Sequence, residues 1–297
     1  MLGFKKVVSV SLGSSKRDYR IILPLKEQQI FLERVGCQEN TDLAARLLRQ
    51  LDGQVAALGL GGANFYYHLG KRRYPCPQGL RLARITKRTP VFDGSGWKQY
   101  GEPLVVSCIQ EKLQLDLNNK KALVVSVLDR YWLAWSLKQA GCRVWAGDPF
   151  FGLKMPVILP FSSFCRVAVA TMPLLARLPL KYLYSSPKTF LAGKYIAGYL
   201  YTGFEIIAGD WHFIRRYLPG NLRGKIVIAS GTAPADREML RACGASYLIS
   251  TTPIWEGISP AANAFEAVLA AIGGQASPEK YPELAASLGW QPQILPL

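Results

Sequence analysis

The sequence predicts an α/β protein with two consecutive Rossmann-like parallel-sheet halves, each a three-layer α/β/α arrangement. Its 297 residues are 49% hydrophobic and 19% charged, which is enough apolar material for two cores of ordinary size. Short apolar runs alternate with amphipathic helical patterns, as in parallel strands joined by right-handed crossovers. The polar, turn-prone stretch 118–121 separates the halves. We therefore expect an N-terminal α/β domain with glycine-rich loops at 1–118 and a C-terminal Rossmann-like domain at 119–297.

The first half contains several strand candidates and two helix candidates. Strands are predicted where apolar or β-branched residues run between turn-forming residues, and the polar turn 13–18 suggests that the first two strands form a hairpin. The first helix has a leucine-rich face and either Asn40 or Thr41 as its N-cap. In chain order we predict strands 6–12, 19–25 and 29–34, helix 41–51, strands 54–60 and 91–93, and helix 103–115.

The second half repeats the strand and helix pattern more clearly. An all-apolar run, interrupted only by Ser126, precedes an amphipathic helix that Asp129 caps and Gly141 terminates. This β-α-β unit is followed by further alternating strands and helices. We predict strand 122–128, helix 129–140, strand 143–146, strand 205–208, helix 211–217, strand 225–229, helix 236–243, strand 247–250 and helix 262–272.

The charge balance predicts an anionic partner. Lysine and arginine total 36 residues against 20 acidic ones, which gives a formal net charge of +16. Phosphates, nucleotides and carboxylates are all attracted to such a surface. The basic residues are scattered and form no long run of the kind that marks a nucleic-acid-binding tail. The expected partner is therefore a small anionic metabolite or a nucleotide rather than nucleic acid.

Cysteine, histidine and hydropathy patterns argue against a metal-binding, a secreted or a membrane-spanning protein. Six separated cysteines, without a C-x-x-C pair, and only two histidines give no expectation of a metal site. The N-terminal segment is too short and strand-like for a signal peptide, so we expect a cytoplasmic protein. The apolar region 155–180 is broken by arginines and prolines, which predicts no transmembrane segment. Contact of this basic region with a membrane surface stays open, as does a homo-oligomer.

Residues that follow the strands are the candidate site residues, because ligands of open parallel sheets bind beyond the carboxyl ends of the strands. The loop after the first strand combines a glycine, two hydroxyls and two cations, which can cradle an anion. A polar turn between two strands is the alternative reading. The predicted anion- or substrate-binding residues here are Gly13, Ser14, Ser15, Lys16 and Arg17.

A second glycine-rich loop follows strand 54–60. Its glycines match the first two of a dinucleotide-binding G-x-G-x-x-G, but Asn64 stands in the third place, and a tight strand-to-helix turn explains the loop equally well. Asp148 lies at the end of the second strand of the later β-α-β unit, where Rossmann proteins hold a ribose. The predicted cofactor-binding residues are Gly59, Gly61, Gly62, Ala63 and Asp148.

Acidic residues and hydroxyls follow three further strands. Asp210 and His212 share one turn, in which an acid and an imidazole can orient each other for proton transfer. Asp93 stands beside glycines at another strand end. These three are the predicted catalytic residues, with a helix cap or a solvated turn as the alternative for each aspartate. Thr251 and Thr252 close a later strand and are further candidates for substrate binding.

Four segments spread along the chain carry a family resemblance. They read VVSVSLGSSKRD, LGLGGAN, TPVFDGSG and IIAGDWHFIRRYLP. With them the chain resembles a bacterial family commonly labelled quinate or shikimate 5-dehydrogenase. The resemblance implies hydride transfer between NAD or NADP and a ring alcohol, with polar groups that hold a carboxylate. The loop at Gly59 resembles the G-x-G-G-A loop of shikimate dehydrogenases but lies much nearer the N-terminus, and Pro24-Leu25-Lys26 is only a fragment of their lysine motif.

Two functions remain open on the sequence. The first is an NAD(P)-dependent oxidoreductase of the quinate/shikimate dehydrogenase type that acts on a small hydroxylated carboxylate. The alternative is a protein or transferase that binds a nucleotide or a phosphorylated metabolite and has no redox activity. The first needs a dinucleotide site, and the second needs only an anion site.

Overall fold

The computed structural model describes residues 3–24, 28–177, 198–274 and 276–297. It is an α/β fold with two compact units. The first comprises Met1–Tyr67, Pro75–Gly101 and Pro260–Gln291, and the second comprises His68–Tyr74, Glu102–Ser259 and Pro292–Leu297. Each unit is discontinuous in sequence because the chain returns to the first unit after residue 259. The domain boundary between residues 118 and 119 stays a prediction.

The first unit contains a five-stranded sheet in the order β2-β3-β1-β4-β7. Its strands are parallel except for β2, which runs antiparallel to β3. A separate two-stranded sheet consists of β5 and β6, and most of its residues belong to the second unit. The strands of this part of the chain are β1 (Gly3–Ser11), β2 (Tyr19–Pro24), β3 (Gln28–Gly36), β4 (Ala57–Gly61), β5 (Tyr66–Leu69), β6 (Arg72–Pro75) and β7 (Val91–Phe92).

The predicted hairpin between the first two strands is wrong. Strand β3 lies between β1 and β2, and the hairpin is formed by β2 and β3. The reason is the apolar character of β1, in which Val7, Val8 and Val10 are almost completely buried. A strand that buries both faces takes a central position between parallel neighbours, whereas β2 can occupy the edge. Residue 25, the predicted end of the second strand, lies outside the described residues.

The second unit contains a seven-stranded sheet in the order β10-β9-β8-β11-β12-β13-β14. The five central strands are parallel, and the two edge strands are antiparallel to their neighbours. The chain moves outward from β8 to one side and then, from β11 onward, to the other, so a topological switch point lies between β8 and β11. The strands are β8 (Lys121–Val124), β9 (Arg143–Ala146), β10 (Leu159–Pro160), β11 (Ile206–Asp210), β12 (Ile226–Ser230), β13 (Tyr247–Ser250) and β14 (Gln293–Pro296).

Helices connect these strands, and short 3-10 helices lie at Ser15–Arg17 and Pro278–Lys280. The Asn40 side chain accepts hydrogen bonds from two N–H groups of the first helix, so Asn40 rather than Thr41 is the N-cap. The helices with both ends described are α1 (Thr41–Leu51), α2 (Pro77–Ala83), α3 (Ser95–Tyr100), α4 (Leu104–Leu113), α5 (Tyr131–Gln139), α6 (Asp148–Phe151), α7 (Phe161–Leu175), α8 (Trp211–Arg216), α9 (Pro234–Ala242), α10 (Ala262–Gly273) and α11 (Tyr281–Ser287).

The start of α5 differs from the prediction. The helix begins at Tyr131 with Arg130 as its N-cap, so the prediction that Asp129 caps it is wrong. Strand β8 ends at Val124, four residues earlier than predicted, and residues 125–130 form a loop. The Asp129 carboxylate accepts a hydrogen bond from the Arg130 side chain instead of capping the helix.

The apolar region 155–180 includes α7, and its last residues, 178–180, lie outside the described part of the chain. None of the helices within the described residues has the length and apolar character needed to cross a membrane. Val167 and Leu174, which lie seven positions apart on α7, are exposed. Contact of this region with a membrane surface therefore stays a prediction.

Candidate functional site

The predicted site residues fall into two sets, one for each sheet. Gly13, Gly61 and Asp93 lie at or just after strand ends of the five-stranded sheet, and Asp210 and Thr251 lie at or just after strand ends of the seven-stranded sheet. Within each sheet the parallel strands place these residues along one edge, as the sequence pattern predicts. The two sets belong to different compact units.

The loop after β1 is held by side chains of its own unit. The Arg34 guanidinium donates hydrogen bonds to the Ser14 carbonyl oxygen at 3.0 Å and to Ser11 Oγ at 2.9 Å, and it forms an ion pair with Asp18 at 2.8 Å. Ser14 Oγ accepts a hydrogen bond from the Lys16 N–H group, and Ser15 Oγ accepts one from the Gln38 amide. These bonds order the loop. The anion-binding role of Gly13, Ser14, Ser15, Lys16 and Arg17 stays a prediction.

The glycine-rich loop after β4 lacks the strand-turn-helix context of a dinucleotide site. Gly59 and Gly61 lie inside β4, and the next element after Gly62 and Ala63 is strand β5 rather than a helix. A Cβ atom at Gly59 would lie 2.8 Å from Nδ2 of Asn263, and one at Gly61 would lie 2.9 Å from Oγ of Ser11. The absence of side chains here therefore permits close packing, and no helix N-terminus is present to bind a pyrophosphate.

Asp93 has a structural role at the end of β7. One carboxylate oxygen accepts a hydrogen bond from the Phe65 N–H group at 2.6 Å, and the other accepts bonds from the N–H and hydroxyl groups of Ser95. The side chain is buried. These bonds join the start of α3 to the segment after β4, so Asp93 stabilises a turn that is buried and not the solvated turn of the alternative interpretation. Its catalytic role stays a prediction.

Asp210 and His212 do not bond through their side chains. One oxygen of the Asp210 carboxylate accepts a hydrogen bond from the His212 backbone N–H group at 2.8 Å, which caps α8. The His212 ring lies on the helix surface, with Nε2 at 2.7 Å from the Arg216 guanidinium. These contacts cap α8 and place the imidazole beside Arg216, and the catalytic role of Asp210 and His212 stays a prediction.

Arg130 instead joins the strand ends of the second unit. Its guanidinium forms ion pairs with Glu102, with Asp129 at 2.9 Å and with Asp210 at 3.6 Å. It also donates to Ser230 Oγ at 3.5 Å, at the end of β12. Groups that follow β8, β11 and β12 thus meet at one buried arginine, beside the switch point of the sheet. This cluster is the candidate functional site.

Burial and charge set the properties of the cluster. The Arg130 and Glu102 side chains are 3% and 0% exposed, whereas that of Asp210 is 35% exposed. Burial alone would lower the pKa of Arg130, but the charges of Glu102, Asp129 and Asp210 raise it above its ordinary value, so the guanidinium is fully protonated. Three carboxylates around one cation leave the cluster acidic. Asp210 is the member best placed to contact a ligand.

Hydroxyl groups extend the same edge at β13. Thr251 Oγ1 donates a hydrogen bond to Glu102 at 3.2 Å, which connects a fourth strand end to the cluster. Thr252 Oγ1 and Ser250 Oγ each lie 2.8 Å from Ser259 Oγ. The side chains of Ser250, Thr251, Thr252 and Ser259 are buried, so Thr252 belongs to a buried hydroxyl network, whereas Thr251 contacts the acidic cluster. Substrate binding by either threonine stays a prediction.

Asp148 is buried and bonded to the loop after β8. Its carboxylate accepts hydrogen bonds from the N–H groups of Val127 at 2.7 Å and Leu128 at 2.9 Å. Burial raises the pKa of Asp148 to about 7, although these two N–H donors act in the opposite direction. Binding of a cofactor by Asp148 stays a prediction. Within the described residues, no group of three or more histidine, cysteine or acidic side chains is placed to hold a metal ion.

Gly209 sets the backbone conformation directly before Asp210. It has φ +140°, and a Cβ atom at this position would lie 2.5 Å from Val125 Cγ2. We expect Gly209→Ala to lower the free energy of unfolding by about 1–3 kcal/mol, since such a backbone conformation is costly for residues other than glycine. Urea unfolding followed by circular dichroism measures the change. Gly220→Ala is the matched control, because that site has open space around it, and equal effects of the two substitutions would contradict the argument.

Two members of the cluster, Arg130 and Glu102, were not predicted from the sequence. Their signal was their position: each is a charged residue directly beside an apolar segment that forms a buried strand or helix. Buried arginine and glutamate side chains are rare unless they are paired. An arginine between two apolar runs is therefore a candidate for a buried ion pair, although its partner cannot be identified in this way.

Comparison with solved structures finds distant similarities in fold. A leucine-bound hetero-hexameric glutamate dehydrogenase from Thermus thermophilus is 15% identical, with 97% of this chain and 73% of that chain covered and a TM-score of 0.45. A glucose-galactose binding protein, GanP, from Geobacillus stearothermophilus is 11% identical, with 98% and 97% covered and a TM-score of 0.41. An L-tryptophan dehydrogenase from Nostoc punctiforme is 12% identical, with 96% and 78% covered and a TM-score of 0.36.

Sequence comparison identifies the family. No curated protein matches the chain. Residues 6–93 match a family model described as a domain of unknown function, DUF8753. Residues 96–297 match a second model, also described as a domain of unknown function, DUF8754. Since the second match spans more than half of the chain, this protein belongs to the DUF8754 family.

Proposed function

We propose that the second unit binds a small hydroxylated carboxylate at the carboxyl ends of its parallel strands. The observation that carries this proposal is the convergence of Asp129, Asp210, Ser230 and Thr251 on the buried Arg130–Glu102 pair. Polar groups from four neighbouring parallel strands meet there, and open α/β sheets bind their ligands at such an edge.

The chemistry of the edge suits a ligand with hydroxyl groups. The half-exposed Asp210 carboxylate accepts hydrogen bonds, and hydroxyl donors bind well to an ionised acceptor. The ion pair with Arg130 holds the Asp210 side chain in place, so the carboxylate is preorganised for a ligand. Arg216, one turn beyond His212 on α8 and hydrogen-bonded to its ring, is the cation proposed for the ligand's own carboxylate.

Binding of quinate and shikimate tests this proposal, because both combine a carboxylate with vicinal hydroxyls. We expect calorimetry to detect binding to the full-length protein. Asp210→Asn should weaken it at least tenfold, since hydrogen bonds to charged groups contribute about 1.5–3 kcal/mol. Asp116→Asn, which changes an exposed aspartate away from the strand ends, should leave the affinity unchanged. Absence of binding, or equal affinity in the Asp210 variant, would reject the proposal.

An NAD(P)-dependent oxidoreductase of the quinate/shikimate dehydrogenase type is the second candidate. It is favoured by the strand order of the second unit, in which the chain reverses direction between β8 and β11 as in dinucleotide-binding folds, and by an acid after the second parallel strand. The loops do not fit the dinucleotide, however: β4 leads to a strand, and the loop after β8 lacks glycine. This function requires binding of NAD(H) or NADP(H), and calorimetry without such binding would reject it.

A further inference from the structure

The loop after β8 is the place where a Rossmann-type unit binds phosphate. In such units the backbone N–H groups between the first strand and its helix hold the pyrophosphate, and glycines allow its close approach. Here the corresponding loop is Ser126-Val127-Leu128-Asp129, between β8 and α5. Its N–H groups at Val127 and Leu128 point to one acceptor, which is the carboxylate of Asp148.

The bonding of Asp148 is that of an anion in a cradle. Oδ2 accepts from the Val127 N–H group at 2.7 Å, and Oδ1 accepts from the Leu128 N–H group at 2.9 Å. Two oxygens of one anion thus satisfy two successive backbone donors, as two phosphate oxygens would. The carboxylate is buried, so solvent does not compete for these donors.

The chain is built to bring Asp148 to this position. Gly147 precedes it, and a Cβ atom there would lie 3.0 Å from Val125 Cα and 2.6 Å from the ring of Phe151. The Gly147 N–H group also donates to the Val124 carbonyl oxygen at 2.8 Å. The close approach of this turn to the end of β8 therefore depends on glycine, and it places the first residue of α6 against the loop.

We infer that Asp148 is an internal anion that occupies the phosphate position of this Rossmann-like unit, so that the unit binds its ligand without a dinucleotide phosphate at the loop after β8. The inference rests on the proposed function, because it concerns the same carboxyl edge of the sheet. It restricts the ligand to one that Asp210 contacts.

The alternative role of Asp148 makes the opposite prediction. If Asp148 bound the ribose of a dinucleotide, the wild-type protein would bind NAD(H) or NADP(H), and removal of the carboxylate would weaken that binding. If Asp148 is an internal anion, the wild-type loop is already filled. Removal of the carboxylate then leaves two buried N–H groups that are open to a small external anion, and formate has the size and chemistry of the group removed.

The test follows the Val127 and Leu128 amide resonances of the full-length protein by NMR. In the wild type we expect neither NAD(H) nor NADP(H) to shift them. In Asp148→Ala we expect formate to bind and shift both resonances. The formate concentration that gives half of the maximal shift should be at least tenfold lower than any that shifts these resonances in the wild type. Asp116→Asn, the exposed-aspartate control, should behave as the wild type does.

Several outcomes overturn the inference. Shifts of the wild-type Val127 and Leu128 resonances on addition of either dinucleotide would show that phosphate enters the loop. Formate-insensitive resonances in a folded Asp148→Ala variant would show that the cradle is not an anion site. If Asp148→Ala does not fold, the wild-type dinucleotide titration alone decides. The proposed function fails separately, if neither quinate nor shikimate binds the wild type or if Asp210→Asn binds them equally well.

Discussion

Replacement of Arg130 by methionine is expected to lower the free energy of unfolding by about 3–5 kcal/mol, because loss of one partner of a buried ion pair leaves an uncompensated charge in the interior. The Glu102 side chain is fully buried and forms an ion pair with Arg130. Asp129 and Asp210 lose the same cation. Urea unfolding monitored by circular dichroism measures the effect.

Two control proteins separate this explanation from a general effect of losing an arginine. Arg143→Met removes an exposed arginine whose guanidinium donates hydrogen bonds to the Asn119 side-chain oxygen, and we expect a change within about 0.5 kcal/mol. The double variant Glu102→Leu/Arg130→Met removes both buried charges and should recover most of the lost stability. A single variant no less stable than Arg143→Met would show that Arg130 does not hold the cluster together.

The second sheet was largely predictable because its strands are short apolar runs between turn residues. The predicted strands 143–146 and 247–250 agree with β9 and β13. Strand β8 was predicted too long, and the reason is physical: Val125 and Val127 are fully buried although they lie beyond the strand. Burial of a loop residue and burial of a strand residue leave the same apolar signal in a sequence, so the end of the strand was not visible.

The candidate site was predictable only in part. The sheet rule placed Asp210 and Thr251 at strand ends, but the bonds that they form depend on residues far away in the chain. Glu102 precedes Arg130 by 28 positions, and no periodicity connects them. The same limit applies to Gly59, whose close neighbour Asn263 comes from the far end of the sequence. A glycine pattern in the sequence indicates that another group approaches the backbone closely at that position. Only the tertiary structure shows whether that group is a ligand or another side chain.

Glu266 gives the first unit a pH dependence of stability with an unusual sign. The side chain is buried on α10, where it accepts a hydrogen bond from the Gly96 N–H group at 3.2 Å. Burial and the nearby charge of Asp93 raise the pKa of Glu266 to about 8, whereas the N–H groups of α3 and the Lys98 charge act in the opposite direction. Tyr281 is a further titratable neighbour of Glu266.

The sign of the effect follows from proton linkage. Since the pKa of Glu266 lies near 8 in the folded protein and near its ordinary 4.5 when unfolded, the folded state retains a proton that the unfolded state releases. This contribution to stability is complete below about pH 4.5 and is lost as the pH rises through about 8. Asp148, with a pKa raised to about 7, adds a loss of the same sign.

Glu266→Gln should remove this dependence, because glutamine keeps the shape and the acceptor but carries no charge. At about pH 5 we expect it to match the wild type within about 1 kcal/mol, since the native group is then protonated. At about pH 9 it should be the more stable protein by on the order of a few kcal/mol. Glu283→Gln, at an exposed site of the same unit, should follow the wild-type curve. Because Asp148 is present in every variant, its contribution cancels in these differences, and parallel curves for Glu266→Gln and the wild type between these pH values would show that Glu266 is ionised in the folded protein.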